Sequence, residues 1–545
     1  LRRGCLFWSG LALTCTGCPT AEVSDDDDVV LDDDDATDDD DDLPDLPEAA
    51  GLSPYAEMLR SVPWLAPPPK EASEYTEILT NGGGAGLIDL DADGVLDLIL
   101  TACYGDVGVF MNIGEDGWSG RPSTSLEGVT AYAVSVADLD ADGRRDLLLG
   151  EAGALRMYPG TGDPGQFGDP VTLLDVGEFL VVGVTISDWD GDDLLDLHVS
   201  GQAVHRSGEP VLPGSEYMLR GTGPAAFEDV SERFGTEDDR GGQPFATTWL
   251  DVDLDGDLDL YVVKDRGQRL VPNRLYLNPG PAEPDGLWEE AAETFGLAAE
   301  VAGMGAAAGD VDLDGTTEVA FSDNDSVMHL LSMRSGVAVD VASSWGVALS
   351  PDTQESCWGV DLPDVDNDGD LDLVFACGRR EYQAHLMQGQ NGLHLYDYAA
   401  GGFADGGELL DQELTDGLEA WRGVLATDVD ADGTLELLFT PHVGYASLQV
   451  TEPNANRWLQ VALEGPETNP DGLGSQVHIT AYGRTRTRVI GAGHTGLASV
   501  TEPIAHFGLG GVEMVEEVKV VWPDGSETKI QEDVQPDQRI RIARD

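Results

Sequence analysis

The sequence predicts an all-β protein assembled from seven like units, and three observations predict it. An acidic loop of fixed register recurs seven times, the intervals between copies are similar, and a short β-branched or aromatic run follows each copy. In the first copy, "GLIDLDADGVLDLIL", carboxylates stand at Asp89, Asp91, Asp93 and Asp97, with a glycine at Gly94. Carboxylates so close together repel unless water screens them or a cation holds them. Ca²⁺ suits this spacing, because it accepts several carboxylates and a backbone carbonyl in flexible geometry.

Taken in chain order, residues 1–18 read as a lipoprotein-type signal peptide. They run from Arg2 and Arg3 through a short apolar stretch to "CTGC", which resembles a bacterial lipobox and makes Cys18 the expected lipidation site. Residues 19–70 carry thirteen aspartates between Asp25 and Asp42 and then a proline-rich stretch. A segment of that composition buries no apolar area and repels itself, so it reads as a disordered tether. The localisation implied is extracytoplasmic, lipid-anchored at a bacterial outer membrane or cell surface. The whole chain carries a formal charge of -74, which argues against nucleic acid and anionic membrane surfaces as partners and for metal cations. Its 545 residues, 41% of them hydrophobic, suffice for more than one domain.

Residues 71–452 hold the repeat. The second loop uses Asp138, Asp140, Asp142 and Asp146; the third uses Asp188, Asp190, Asp192 and Asp196, with Asp193 in place of the glycine. The fourth has Asp251, Asp253, Asp255 and Asp259, and the fifth Asp310, Asp312, Asp314 and Glu318. The sixth has Asp364, Asp366, Asp368 and Asp372, and the seventh Asp428, Asp430, Asp432 and Glu436. The copies start 49, 50, 63, 59, 54 and 64 residues apart, about the length of a four-stranded propeller blade with variable loops.

An EF-hand would need a bidentate Glu at position 12 and helices on both sides. Position 12 here is Leu100, Leu149, Val199, Val262, Phe321, Phe375 and Phe439. The fourth carboxylate therefore comes from position 9, and each loop reads as a turn between strands. Positions 1, 3 and 5 point inward, and the glycine takes φ > 0. Position 7 offers its carbonyl, from Val95, Arg144, Leu194, Asp257, Thr316, Asp370 and Thr434 in turn. Up to seven Ca²⁺ ions are expected, with the third site the weakest or most distorted because Asp193 tolerates a left-handed backbone less well than glycine. Cys357 and Cys377 lie nearly symmetrically about the sixth loop and would face each other if its flanks pair, forming a disulfide, while Cys103 has no evident partner. Between the loops, glycine-rich turns precede Trp118, Phe167, Phe227 and Trp288, aromatics read as packing between blades.

These motifs resemble the FG-GAP/VCBS repeats of integrin α-like propellers, from about Glu71 to Gln449. The family's loop matches residue by residue except at Asp193, Glu318 and Glu436. The resemblance implies a seven-bladed β-propeller with its ions on one face. Residues 453–545 lack acidic loops and alternate apolar and polar residues, so they read as a small, separate β domain. "NRWLQV", "GLGSQVHI", "HFGLG" and "VEEVKVVWPDG" resemble the ASPIC/UnbV domain, which in its family follows such a propeller, as in cartilage acidic protein-like chains.

No metalloprotease, nucleophile-elbow or phosphate-loop motif is present, and His494 and His506 read as structural. The expected function is non-enzymatic: a calcium-stabilised binding, adhesion or scaffolding protein for an unknown protein or polysaccharide ligand. A propeller hydrolase or lyase acting on an extracellular polymer is the alternative. Partners are expected on the face opposite the ions, with the C-terminal domain contributing. Trp345, Trp358 and Trp421 are candidates to stack on a ligand, with core packing the competing role.

Overall fold

The computed structural model describes residues 52–54 and 83–544, apart from 102–104, 113–117, 120–124, 204–211, 325–326, 348–355, 379–390, 408–409, 411–420, 442–445, 452–453, 493–497 and 531–533. Cys18 with its signal segment, Cys103 and His494 lie outside the described residues.

Each acidic loop joins two strands. Ala85–Ile88 precedes Asp97–Leu100, Ala133–Ala137 precedes Asp146–Gly150, and Val171–Ser187 precedes Asp196–Ala203. Gln243–Leu250 then leads to Asp259–Asp265, Gly303–Gly309 to Glu318–Asp323, Ser356–Asp361 to Leu373–Gly378, and Trp421–Thr427 to Glu436–Pro441. All seven pairs are antiparallel. The second strands are buried on both faces, as in "DLLLG" from Asp146 to Gly150, because neighbouring sheets cover them. That is why they read as continuous apolar runs and do not alternate.

Five four-stranded sheets and one seven-stranded sheet carry these hairpins. The seven-stranded sheet arises because Val171–Ser187 serves two units. Its first half pairs with Ala152–Tyr158 and its second with Asp196–Ala203. The architecture is a β-propeller. Trp118, Phe167 and Trp288 bridge or close the outer parts of their sheets, and Trp118 and Trp288 are buried. Toward the centre, the first strands of successive hairpins pack against one another, and glycine permits the approach. A Cβ at Gly305 would lie 2.2 Å from the Trp358 carbonyl oxygen, and one at Gly359 would lie 2.8 Å from the Val424 nitrogen.

Two parts of the domain plan differ from the sequence reading. Leu52–Pro54, inside the segment read as tether, pairs antiparallel with Ser447–Thr451 and forms the outer strand of the last sheet. A three-residue edge strand is bound through its backbone, so no apolar pattern announces it. The C-terminal region forms a three-stranded and a four-stranded sheet of its own, yet it is not separate. Its strand Val500–Thr501 pairs parallel with Gly86–Leu87, and one apolar cluster runs from Val134, Leu147 and Ile186 of the propeller to Leu459, Val477 and Phe507. Alternation identifies a strand but not the sheet it joins.

Candidate metal centres

The seven loops turn by one device. Asp89 at position 1 accepts amide N–H groups from Asp93 (3.1 Å) and Gly94 (2.9 Å), and the same pair recurs at Asp138, Asp188, Asp251, Asp310 and Asp428. Asp364 accepts from Gly369 at 3.1 Å. Position 6 has positive φ throughout, from 69° at Asp193 to 105° at Gly369. The sequence did not announce a second left-handed residue, at position 4. Ala92, Ala141, Leu254, Leu313, Asn367 and Ala431 all take φ between 54° and 62° there. In the third loop position 4 is Gly191, φ 68°, so the glycine has moved two places. That exchange explains why the third loop is not distorted as expected: it closes with the same bonds, from Asp192 and Asp193 to Asp188 and from Leu194 to Asp192.

Position 9 has two tasks. In all seven loops its carboxylate accepts the position-2 N–H, as Asp97 does from Leu90 at 3.0 Å. Where it is aspartate it also accepts from the third strand or the residues just past it, through the N–H groups of Asn112, Gly160, Gly221, Asn278 and Tyr396. In the seventh loop the second glutamate oxygen is left over: among the described residues Glu436 Oε1 is buried with no hydrogen-bond partner, and so are Asp312 Oδ1 and Asp364 Oδ1.

Positions 1, 3 and 9 converge in at least four loops: Asp89, Asp91 and Asp97; Asp138, Asp140 and Asp146; Asp188, Asp190 and Asp196; and Asp310, Asp312 and Glu318. Each group offers oxygens within 4.8 Å of one another. In the fourth loop Asp251, Asp253 and Asp255 come together instead. Position 5 also turns toward its own loop, as Asp93 accepts from Val95 N–H at 3.1 Å and Asp255 from Asp257 N–H at 3.0 Å. Burial pushes Asp97 up to about 7, Asp259 and Glu318 to about 8, and Glu436 to about 9. Buried oxygens without partners and carboxylates that resist ionising fit a hard divalent cation, which would neutralise them and complete their coordination.

Arginines form ion pairs with carboxylates of the second, third and fifth loops. Arg144 pairs with Asp142, Arg220 with Asp190 and Asp192, and Arg334 with Asp312 and Asp314. The sixth loop is the most enclosed. Asp364, Asp366, Asp370 and Asp372 are all buried, whereas Asp91, Asp93, Asp253 and Asp255 are exposed. A disulfide joins Cys357 and Cys377, directly opposite each other in the strands around that loop. Among the aromatic candidates, Trp358 and Trp421 are buried, and Trp345 is half-buried against Tyr396. The first two belong to the core.

Residues 89–149 and 251–321 match the FG-GAP-like repeat, and residues 465–545 match ASPIC and UnbV. Mouse cartilage acidic protein 1 is 24% identical over 468 residues, covering 72% of this chain and 70% of that protein. The human protein of the same name is 25% identical over 470 residues, covering 72% and 69%. A crystal structure of BBS1N in complex with ARL6DN aligns at 11% identity and a TM-score of 0.41, covering 72% of this chain and 98% of the other. The chain thus carries FG-GAP-like repeats on its propeller sheets, followed by a region that matches ASPIC and UnbV.

Proposed function

We propose that this protein is a calcium-stabilised, extracytoplasmic binding or scaffolding module, tethered to a bacterial membrane through a lipid on Cys18. The observation that carries the calcium part is the convergence of carboxylates in one register, loop after loop, with buried oxygens lacking partners. In each loop the position-1 and position-9 residues already bind the turn's own amides, so an ion there would couple turn closure to charge neutralisation. Its chemistry is structural: Ca²⁺ would neutralise the carboxylates and add its binding energy to the folded state.

The extracytoplasmic binding role rests on the repeat and domain types, whose relatives include the cartilage acidic proteins. The C-terminal domain rests on the loop face, so partners are assigned to the opposite ends of the sheets, with an unidentified protein or polysaccharide as ligand. This shifts the expected role of the C-terminal domain away from the partner face. The test is a pull-down and a glycan array with calcium and after chelation. A captured ligand that survives Asp91→Ala supports the assignment. Loss of binding in that variant with folding intact would make the ion itself the contact.

A further inference from the structure

The sixth loop is held from outside as well as from within. The Asp366 carbonyl accepts from Asn456 Nδ2 at 2.8 Å, the Asn367 carbonyl accepts the Gly510 N–H at 2.7 Å, and the Gly369 carbonyl accepts from Arg486 Nε at 2.8 Å. Asn367, the left-handed position-4 residue, also engages His506 Nε2 at 2.7 Å and donates to the Gly433 carbonyl of the seventh loop at 2.8 Å. In the other loops of this pattern that position holds only Ala, Leu or Gly, which have no side-chain group to offer. Most of these bonds end on backbone carbonyls, so they exist only while the loop keeps its turn.

The same C-terminal domain reaches the propeller's centre. Ala492 accepts the Ile186 N–H at 2.9 Å, Ala498 accepts the Val134 N–H at 3.3 Å, and Ser499 Oγ accepts the Ala85 N–H at 3.0 Å. Ala498 packs on Phe245, Met304 and Trp358, from the first strands of three further hairpins. The domain is thus a cap on the loops with a plug in the axis.

We infer that the sixth loop is a calcium-dependent latch: the ion-held turn seats the C-terminal cap and keeps its plug in the propeller axis, and loss of the ion releases both. This rests on the calcium reading of the loops. Five aspartates crowd the sixth loop, counting Asp370, and most are buried. One Ca²⁺ leaves that cluster formally three units negative, and the cap brings Arg486 and Arg488 close to Asp364. Ion and cap therefore neutralise the buried cluster jointly. The cap is suited to this task, since nine of the chain's 29 Lys and Arg residues fall among residues 456–545. Without the ion, repulsion opens the turn and removes the carbonyls the cap needs.

Hydrogen–deuterium exchange on the full chain, with calcium and after chelation, tests the latch, with calorimetry reporting calcium binding separately. On chelation, amides around Gly510 and Ile186 should exchange at least about tenfold faster while the hairpin strands of the fourth and fifth units stay protected. Asn367→Ala should loosen the same amides at calcium levels that keep the unaltered cap seated, leaving calcium binding at the exposed first loop unchanged. Calcium binding with no change in cap exchange on chelation would overturn the latch alone. Cap and hairpins losing protection together would also overturn it, because the ions would then hold the whole fold. Absence of any calcium binding would overturn the calcium reading and the latch with it.

Discussion

The first and sixth loops share their aspartate spacing and differ in surroundings. In the first, Asp91 and Asp93 are exposed and the position-4 residue is Ala92. In the sixth, Asp364, Asp366 and Asp370 are buried, position 4 is Asn367, and Arg486 closes over Gly369. One local pattern therefore serves both in an open turn, which the C-terminal domain meets through the Asp89 N–H bond to Glu502 Oε2 at 3.0 Å, and in a turn enclosed within the interface. What separates the two is not the ligand set but what lies above it.

The largest difference expected is between Asp364→Ala and Asp89→Ala. Removing Asp364 strips a partly paired charge from beside buried Arg486 and should cost about 3–5 kcal/mol, against about 1 for exposed-loop Asp89. Urea unfolding in calcium measures both; equal losses would dissolve the comparison. Reducing the Cys357–Cys377 disulfide, with its sequence separation of 20, should cost about 3 kcal/mol in the chain-entropy model and fall on the sixth hairpin. Thermal unfolding of a Cys357→Ser, Cys377→Ser variant checks it, and an unchanged midpoint would remove the staple from the account.

A smaller contrast is expected between two glycines. Gly94→Ala meets nothing within 4 Å and should cost only the left-handed backbone penalty, about 1–2 kcal/mol. Gly369→Ala, whose Cβ would fall 2.3 Å from Arg486 Nη2, should cost more than that. Equal melting shifts in the two variants would show that Arg486 moves aside freely.

The subtlest effect is on pH dependence. Burial lifts Asp97 and Asp366 to about 7, and Asp370 to about 10, so the ion-free folded state holds protons that the unfolded state has released. Ion-free stability should therefore fall as pH rises from about 4–5 through 7 and beyond, with the sixth loop extending the loss to higher pH. With calcium the sign should reverse, because protons compete with the ion for the same oxygens. Melting profiles across this range, with and without chelator, would expose a failure of either sign.

The loops were legible because their register, glycine and carboxylates are local in the chain. Position 12 being apolar sufficed to separate them from EF-hands, and strands do flank every loop. Less was legible wherever the partner is remote. Asn367 is an ordinary turn residue until His506, Gly433 and Gly510 are brought to it across the fold. Leu52–Pro54 and Val500–Thr501 join sheets through backbone pairing, which leaves no side-chain signature. The compensation of Asp193 by Gly191 was visible in the sequence, but only to a reader who knew that position 4 is left-handed as well.

The central claim is that divalent calcium binds these loops and adds stability to the folded chain, and thermal unfolding of the full chain tests it most directly. The midpoint should rise with calcium concentration, as it must when an ion binds the folded state only, by the equivalent of about 4 kcal/mol per site at a thousandfold excess over the dissociation constant. Magnesium, which demands a tighter octahedral shell, should not substitute. A midpoint that is the same in calcium, in magnesium and after chelation would contradict the account.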